Sequence, residues 1–368
     1  MTERLKIGFD AKRIVRNGTG LGSYGRTLVN DLASYPLELR LYVPDLGKDQ
    51  LRQQIKQQEN VRFCLPAPSH LPFSKALWRS KGIVNDLKRD GIQVFHGLSG
   101  ELPIGIRQSG IKSVVTIHDL IFLRHPEFYH WIDTKIYAWK FRQTIREANH
   151  IIAISECTKR DILRYAPDVD PRRISVIYQS CAPKFNCAPA VPSGERYILS
   201  VGSIEARKNI LLAVKALPYL PEELKLVIVG RHTTYTDEVK AYAEKEGLSH
   251  RIRIMHGVSD EALPKLYAEA EAFVYPSRYE GFGIPIIEAI SCGLPVVACT
   301  GSCLEEAGGP DSLYVDPDNA RAMAHAIKQV LRGAEGREAR IERSQKYIQR
   351  FAGNDVAGQV VELYRQLL

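Results

Sequence analysis

Phe273-Val-Tyr-Pro-Ser-Arg-Tyr-Glu280-Gly-Phe-Gly-Ile-Pro-Ile-Ile-Glu288 reads as a buried strand, a glycine loop and the start of a helix. The strand ends near Pro276, and Pro285 suits a first helical position, where its missing N–H would lack a partner anyway. Gly281 and Gly283 let the backbone approach a ligand closely. The free N–H groups of Gly283 and Ile284, with the helix dipole behind them, make an anion site suited to a diphosphate. Glu288, expected in the first turn of the helix, and Glu280, before the loop, bracket that site. Carboxylates do not bind phosphate; they accept hydrogen bonds from hydroxyls, as on a ribose or a sugar. The combination reads as a nucleotide-sugar site. The competing reading is a plain strand-loop-helix turn in which Glu288 only supports its helix dipole.

The same strand-then-helix pattern recurs along the chain. Short apolar runs at 5–9, 39–43, 61–65, 94–96, 113–118, 151–154 and 174–178 predict strands in the first half. Runs at 197–201, 226–229, 252–255, 273–275, 296–298 and 313–315 predict the rest. Most are continuous Val/Ile/Leu runs, as expected of parallel strands buried on both faces. Helical periodicity intervenes, for example over 134–147, 210–217, 259–270 and 320–331. Strict alternation predicts α/β architecture with two doubly wound parallel sheets. The segment 179–195, with Pro183, Pro189 and Pro192, is the expected linker between domains at 1–180 and 190–352. The two domains are expected to face each other across a cleft. A final helix over 355–368 carries an apolar stripe, so it packs against another element, the first domain being the expected partner.

Three further constellations carry chemistry. In Leu199-Ser-Val-Gly202-Ser-Ile-Glu-Ala-Arg207-Lys208-Asn209, a strand ends and two cations precede a helix. Cations at a helix N-terminus oppose its dipole, so an anion is expected to compensate. Arg207 and Lys208 suit the charge on a departing diphosphate; solvated loop cations are the alternative. Asn17-Gly-Thr-Gly20-Leu-Gly22-Ser-Tyr24 resembles part of a dinucleotide fingerprint without its last spacing. As a glycine loop it would close over a donor diphosphate or admit an acceptor. His118 and Asp119 end a buried strand, on the ligand side of such a sheet, where a structural role competes. Ser155 ends another strand and could equally cap the helix that follows.

The 368 residues suit two domains, and 45% hydrophobic with 25% charged residues excludes disordered and fibrous classes. The net charge of +8 is uneven: residues 1–183 carry +10 and residues 184–368 carry −2. That raises nucleic acid, acidic lipid and phosphorylated small molecules as partners. Nucleic acid fits poorly, because basic residues are dispersed and not interleaved with aromatics. No apolar run of about 7–15 residues near the start suggests a secretory signal, and none reaches the roughly 18 residues needed to span a bilayer. Seven cysteines at 64, 157, 181, 187, 292, 299 and 303 suit a reducing cytoplasm; the Cys181-x5-Cys187 spacing is not that of a zinc site, and no histidine pair supports one.

Together these residues resemble the retaining glycosyltransferases of family 4, which have the two-domain GT-B fold. The E-x7-E pair at Glu280 and Glu288, His118-Asp119, Gly20-x-Gly22 and Arg207-Lys208 carry the resemblance over most of the chain. So do Gly257-Val-Ser-Asp-Glu-Ala-Leu and Leu266-Tyr-Ala-Glu-Ala270. The resemblance implies that Glu288 binds the nucleotide ribose and Glu280 the hydroxyls of the donor sugar. Backbone N–H groups at Phe282, Gly283 and Ile284, with Arg207 and Lys208, would hold the diphosphate. His118 would sit near the reacting carbon, with Arg231 and Val258 near the base. Ser203 stands where many members have arginine, which would leave the diphosphate charge to Arg207 and Lys208. Asp119 is the carboxylate to test for a covalent route.

The E-x-R-K-N form of the second motif resembles a subgroup that often uses GDP-mannose to build surface polysaccharides. The implied reaction needs no cofactor and no metal: cations and a helix N-terminus stabilise the leaving group, and no D-x-D motif is placed to bind a divalent ion. The implied partners are a nucleotide-sugar donor and a glycan or lipid-linked acceptor. The +10 half suggests peripheral contact with anionic membrane at its cytoplasmic face, through basic residues at 135–146, 159–164 and 172–173. Rival readings are another GT-B enzyme such as a sugar-nucleotide epimerase or a phosphorylase, and an NAD-dependent oxidoreductase.

Overall fold

The computed structural model describes residues 4–68, 73–187, 194–351 and 355–368. The chain divides into two compact units, residues 1–179 with 355–368, and residues 180–354. Pro189 and Pro192 of the expected linker lie outside the described residues. Its first part belongs to the second unit. Phe185 is buried there, edge-on to Tyr267 at 5.5 Å between ring centres.

The first unit contains β1 (Leu5–Asp10), β2 (Leu37–Tyr42), β3 (Val61–Cys64), β4 (Val94–Gly97), β5 (Lys112–Ile117), β6 (His150–Ala153) and β7 (Ile174–Val176). They form one sheet in the order β3-β2-β1-β4-β5-β6-β7, with every pairing parallel. The second unit contains β8 (Tyr197–Val201), β9 (Lys225–Val229), β10 (Ile252–Met255), β11 (Ala272–Tyr275), β12 (Val296–Cys299) and β13 (Leu313–Val315). Its order is β10-β9-β8-β11-β12-β13, again all parallel. Each apolar run of the sequence becomes a strand, with ends shifted by a residue or two. Sequence hydropathy marks which residues are buried, whereas the hydrogen-bond ladder ends where a neighbouring strand ends.

Both sheets reverse direction once, between β1 and β4 and between β8 and β11. Where strand order reverses, the connections leave towards opposite faces and open a crevice at the carboxyl ends, the usual ligand position in such sheets. The helix Val356–Leu367 packs on the helix Gly20–Leu32. Its Val360, Val361 and Tyr364 are buried in the same core as Ile7 and Val29. Burying such side chains stabilises by about 1.5–3 kcal/mol each before ordering costs. The Tyr364 hydroxyl also meets His96 Nδ1 at 2.6 Å, and His96 Nε2 meets Thr116 Oγ1 at 2.8 Å. Burial lowers the His96 pKa to about 3, so the ring is neutral and this interior chain carries no charge.

Candidate active site

The switch point of the second sheet gathers most of the sequence-predicted donor residues. After β8 come Gly202, Ser203 and a 3-10 turn Ala206–Lys208; after β11 come Ser277 to Gly283 and the helix Ile284–Ser291. Gly202, Ser203, Lys208 and Tyr275 line a narrow crevice between the two strands. Gly283 has φ +105°, and a Cβ there would lie 3.3 Å from Ala307 and Leu304, so backbone conformation and tight packing both call for glycine.

Two details differ from the sequence expectation. The helix starts at Ile284, one residue before Pro285, because Gly283 in left-handed conformation already turns the chain. Glu288 consequently sits in the second turn. The Phe282 side chain points inward, edge-on to Phe351 at 5.4 Å, so only its backbone faces outward chemistry.

Arg207 and Lys208 do not stand as unpaired cations. Glu280 Oε1 lies 2.8 Å from Arg207 Nη1, 2.6 Å from Lys208 Nζ and 2.6 Å from the Ser277 hydroxyl. Arg207 also donates to the Tyr279 carbonyl at 2.6 Å, and Lys208 to the Tyr275 hydroxyl at 2.6 Å. Burial alone would raise the Glu280 carboxyl, but Lys208 and Arg207 hold it below the ordinary glutamate range. The cluster thus combines two cations with one buried carboxylate, one net positive charge among the three, with the more exposed Glu205 3.9 Å from Arg207. Its carboxylate compensates the cations that the sequence left facing a helix N-terminus.

Glu288 is perturbed in the opposite direction. Burial raises its pKa to about 7, although the Tyr267 hydroxyl donates to Oε2 at 2.9 Å and Lys184 attracts its charge. Two glutamates eight positions apart therefore differ: Glu280 is held ionised by ion pairing, while Glu288 sits near half-ionisation at neutral pH. Such separation assigns different roles to chemically equal groups. Arg231 follows β9, exposed and 3.8 Å from Glu205, and Val258 follows β10, half-buried. Both follow strands on the outer side of β8, and Glu205 links Arg231 to Arg207, 3.9 Å from its other oxygen.

In the first unit, His118 follows β5. Its Nε2 lies 2.9 Å from the Leu98 carbonyl, which can only accept, so Nε2 carries the hydrogen. Nδ1 then accepts from the Gln179 amide at 3.4 Å, and Tyr24 stands edge-on at 4.8 Å. Burial lowers the His118 pKa to about 4, so at neutral pH it is an uncharged acceptor. Asp119 Oδ1 accepts the Ile121 N–H at 3.2 Å and opens a short helix. Ser155 accepts from Thr158 N, the capping role.

The glycine motif is not a loop. Gly20 is the first residue of the helix Gly20–Leu32 and Gly22 lies within it. A Cβ on Gly22 would fall 1.9 Å from the Asn17 carbonyl oxygen, which also accepts from Arg26 at 2.9 Å. Close packing of the helix start on the preceding turn explains this glycine without a ligand. Sequence reading missed Tyr267, Ser277, Tyr275 and Gln179, each a neutral partner of a charged or catalytic candidate. Only spatial contact distinguishes them.

Two sequence models match adjacent halves of the chain. "Glycosyltransferase Family 4" matches residues 18–181 and "Glycosyl transferases group 1" matches residues 185–347. The chain belongs to glycosyltransferase family 4. This glycosyltransferase is similar to the O-antigen chain mannosyltransferase B of Escherichia coli, 29% identical over 99% of this chain and 100% of that one. Among solved structures, sucrose-phosphate synthase from Thermosynechococcus elongatus superposes with TM-score 0.79 at 20% identity, covering 99% of each chain. Anabaena HepE in complex with UDP-glucose gives TM-score 0.75 at 17% identity, covering 99% of this chain and 100% of that one. Those likenesses establish the GT-B type of fold for the glycosyltransferase.

Proposed function

We propose that this glycosyltransferase moves mannose from GDP-mannose to a hydroxyl of a lipid-linked or oligosaccharide acceptor in surface polysaccharide synthesis, with retention at the transferred carbon. The observation that carries the donor reading is the switch-point cluster: one net positive charge from Arg207, Lys208 and Glu280 beside the N-terminus of Ile284–Ser291. A departing diphosphate needs cations and N–H donors, and both converge there. Glu288, one turn further along, accepts the ribose hydroxyls in its ionised form, with Tyr267 orienting it. Glu280 reaches the donor sugar only through a cluster that already occupies its Oε1, so it acts chiefly by aiming Arg207 and Lys208. His118, as a neutral acceptor, takes a hydrogen bond from a sugar hydroxyl at Nδ1 in place of the one from Gln179. The likeness to an O-antigen mannosyltransferase over the full length supports mannose.

Charge neutralisation by side chains and a helix N-terminus makes a divalent metal unnecessary for departure of the diphosphate. Membrane contact is supported by the helix Trp131–Glu147. It exposes Trp131, Ile132, Ile136 and Trp139 among Lys135, Lys140, Arg142 and Arg146, the composition of an interfacial helix. Among the described residues no helix is long and apolar enough to cross a membrane. Incubation with GDP-mannose, UDP-glucose and UDP-N-acetylglucosamine, with and without chelator, tests the donor by release of nucleoside diphosphate. Preference for GDP-mannose unaffected by chelator is expected. Preference for a uridine donor refutes the mannose assignment, and loss of activity with chelator refutes metal independence. Salt-sensitive binding to anionic vesicles is the expected membrane result; its absence removes that contact.

A further inference from the structure

The far end of the helix Ile284–Ser291 carries a chemistry that donor binding does not use. Cysteines from two distant parts of the chain meet there: Cys181 and Cys187 from the segment that opens the second unit, and Cys292 from the helix end. The Cys292 N–H donates to the Glu288 carbonyl at 3.1 Å, which places this sulfur one helical turn beyond Glu288. Cys187 Sγ lies 2.8 Å from Cys292 Sγ, across 105 positions of chain. Two unbonded sulfurs in ordinary contact stand farther apart than that. A disulfide bond of about 2.05 Å needs less than about 1 Å of further approach.

Packing holds the two thiols together. The 3-10 turn Pro183–Phe185 lies on the helix Ile284–Ser291, with Phe185 buried edge-on to Tyr267. The Phe185 carbonyl accepts from Cys292 Sγ at 3.1 Å, and Lys184 is ion-paired to Asp260 at 3.1 Å. These contacts fix the short run that ends in Cys187. Cys181 meets Ser291 and faces Glu288 instead, with its Sγ 3.7 Å from the Ala182 carbonyl. The two touching sulfurs differ in access. Cys292 is fully buried, and burial with the neighbouring Cys187 thiol raises its pKa well above the ordinary thiol range. Cys187 is only half-buried. An oxidant therefore meets Cys187 first, and Cys292 is the resolving thiol.

We propose that Cys187 and Cys292 form an oxidation site, which a peroxide closes into an intrachain disulfide that staples the segment 180–187 to the helix Ile284–Ser291. The Cys187 sulfur, losing its proton, attacks one peroxide oxygen; the O–O bond breaks and leaves sulfenic acid and one water. The Cys292 sulfur, losing its proton, displaces the sulfenic hydroxyl as a second water, and the S–S bond forms. Two thiols give up two electrons and two protons, and one peroxide takes them. The high proton affinity of Cys292 slows the second step, and contact between the sulfurs offsets this. In a reducing compartment the pair stays as thiols. Because those thiols already touch, the bond keeps the arrangement around Tyr267 and Glu288 and chiefly restricts the unfolded chain, by closing a long loop.

Treatment of the full chain with hydrogen peroxide, then alkylation, proteolysis and mass spectrometry, reads the pairing. One linked pair, Cys187 with Cys292, is expected, with Cys181 alkylated. Calorimetric melts should show the transition of the second unit raised by about 5–15 °C, and dithiothreitol should return it to its starting value. Cys187→Ala should melt near the untreated wild type and show no rise with peroxide. Cys181→Ser should keep both the linked peptide and the rise. A link through Cys181, a link between two molecules, or Cys187 carried on to sulfinic acid without a link overturns the proposal. So does a linked pair that leaves the melt unchanged, because the bond then staples nothing. Should Cys187→Ala fold poorly, the pairing found in the wild type still decides.

Discussion

Replacing Glu288 by glutamine should stabilise the protein above neutral pH while weakening its grip on the donor. The Glu288 carboxyl has an ordinary pKa of 4.5 and is raised by burial to about 7 in the folded chain. Between those values the folded state binds more protons than the unfolded one, so stability falls as pH rises through that window. The loss is complete above about pH 7. At about 1.36 kcal/mol per pH unit, the interval corresponds to an upper value of about 3 kcal/mol. Glutamine keeps the shape and still accepts from the Tyr267 hydroxyl, which lies 2.9 Å from Oε2, though it loses the charge-assisted part of that bond. A net gain of about 1–2 kcal/mol at pH 8 follows, or roughly 2–8 °C in Tm for a unit of this size. At pH 4.5, where the native carboxyl is protonated, the two proteins should melt together. Circular dichroism melts at both pH values read the stability. Titration with GDP-mannose at pH 8 reads the donor, with an expected loss of about tenfold or more, because an amide accepts hydroxyls less strongly than a carboxylate. Equal stability at pH 8, or a variant that is less stable there, would refute the burial argument. Unchanged donor affinity with the predicted stabilisation would refute the ribose role alone.

Other outcomes follow from the same contacts. Glu280→Gln leaves Arg207 and Lys208 without their carboxylate and should cost about 3 kcal/mol in urea denaturation; adding Lys208→Met should recover part of it, and strict additivity would deny the pairing. Gly22→Ala should destabilise by about 2 kcal/mol or more, since its Cβ falls on the Asn17 carbonyl, while Gly20→Ala, with open space around it, should stay within about 0.5 kcal/mol. Comparable losses at both glycines would point to a flexible loop instead. His118, neutral above about pH 4, should give no ionisation in kcat between pH 5.5 and 8 at saturating donor, and an acid limb that disappears in His118→Gln would contradict its buried neutral state.

The strands were legible because parallel strands buried on both faces must be apolar at successive positions. β11 and β12 are buried at every residue, and their sequences are correspondingly continuous. The E-x7-E spacing and the glycine loop between its members were legible for a similar reason: strand, turn and helix there are contiguous in the chain. Helix boundaries were less so. Pro285 alone suggested a start one residue late, because the left-handed turn at Gly283 is a backbone property that residue type permits but does not announce.

What the sequence determined by itself is the alternation of elements, the two-sheet architecture and the residue types of the donor site. All of these follow from local periodicity and from motifs spanning fewer than twenty positions. The tertiary structure alone decided which strands flank each switch point, and hence which loops share a crevice. It joined Arg207 and Lys208 to Glu280 across some seventy positions and so turned two apparently free cations into an ion-paired cluster with its charge partly compensated. It buried Glu288 beside Tyr267. Charge balance and proton affinity depend on distance and burial in space, and neither quantity is carried by the order of residues along the chain.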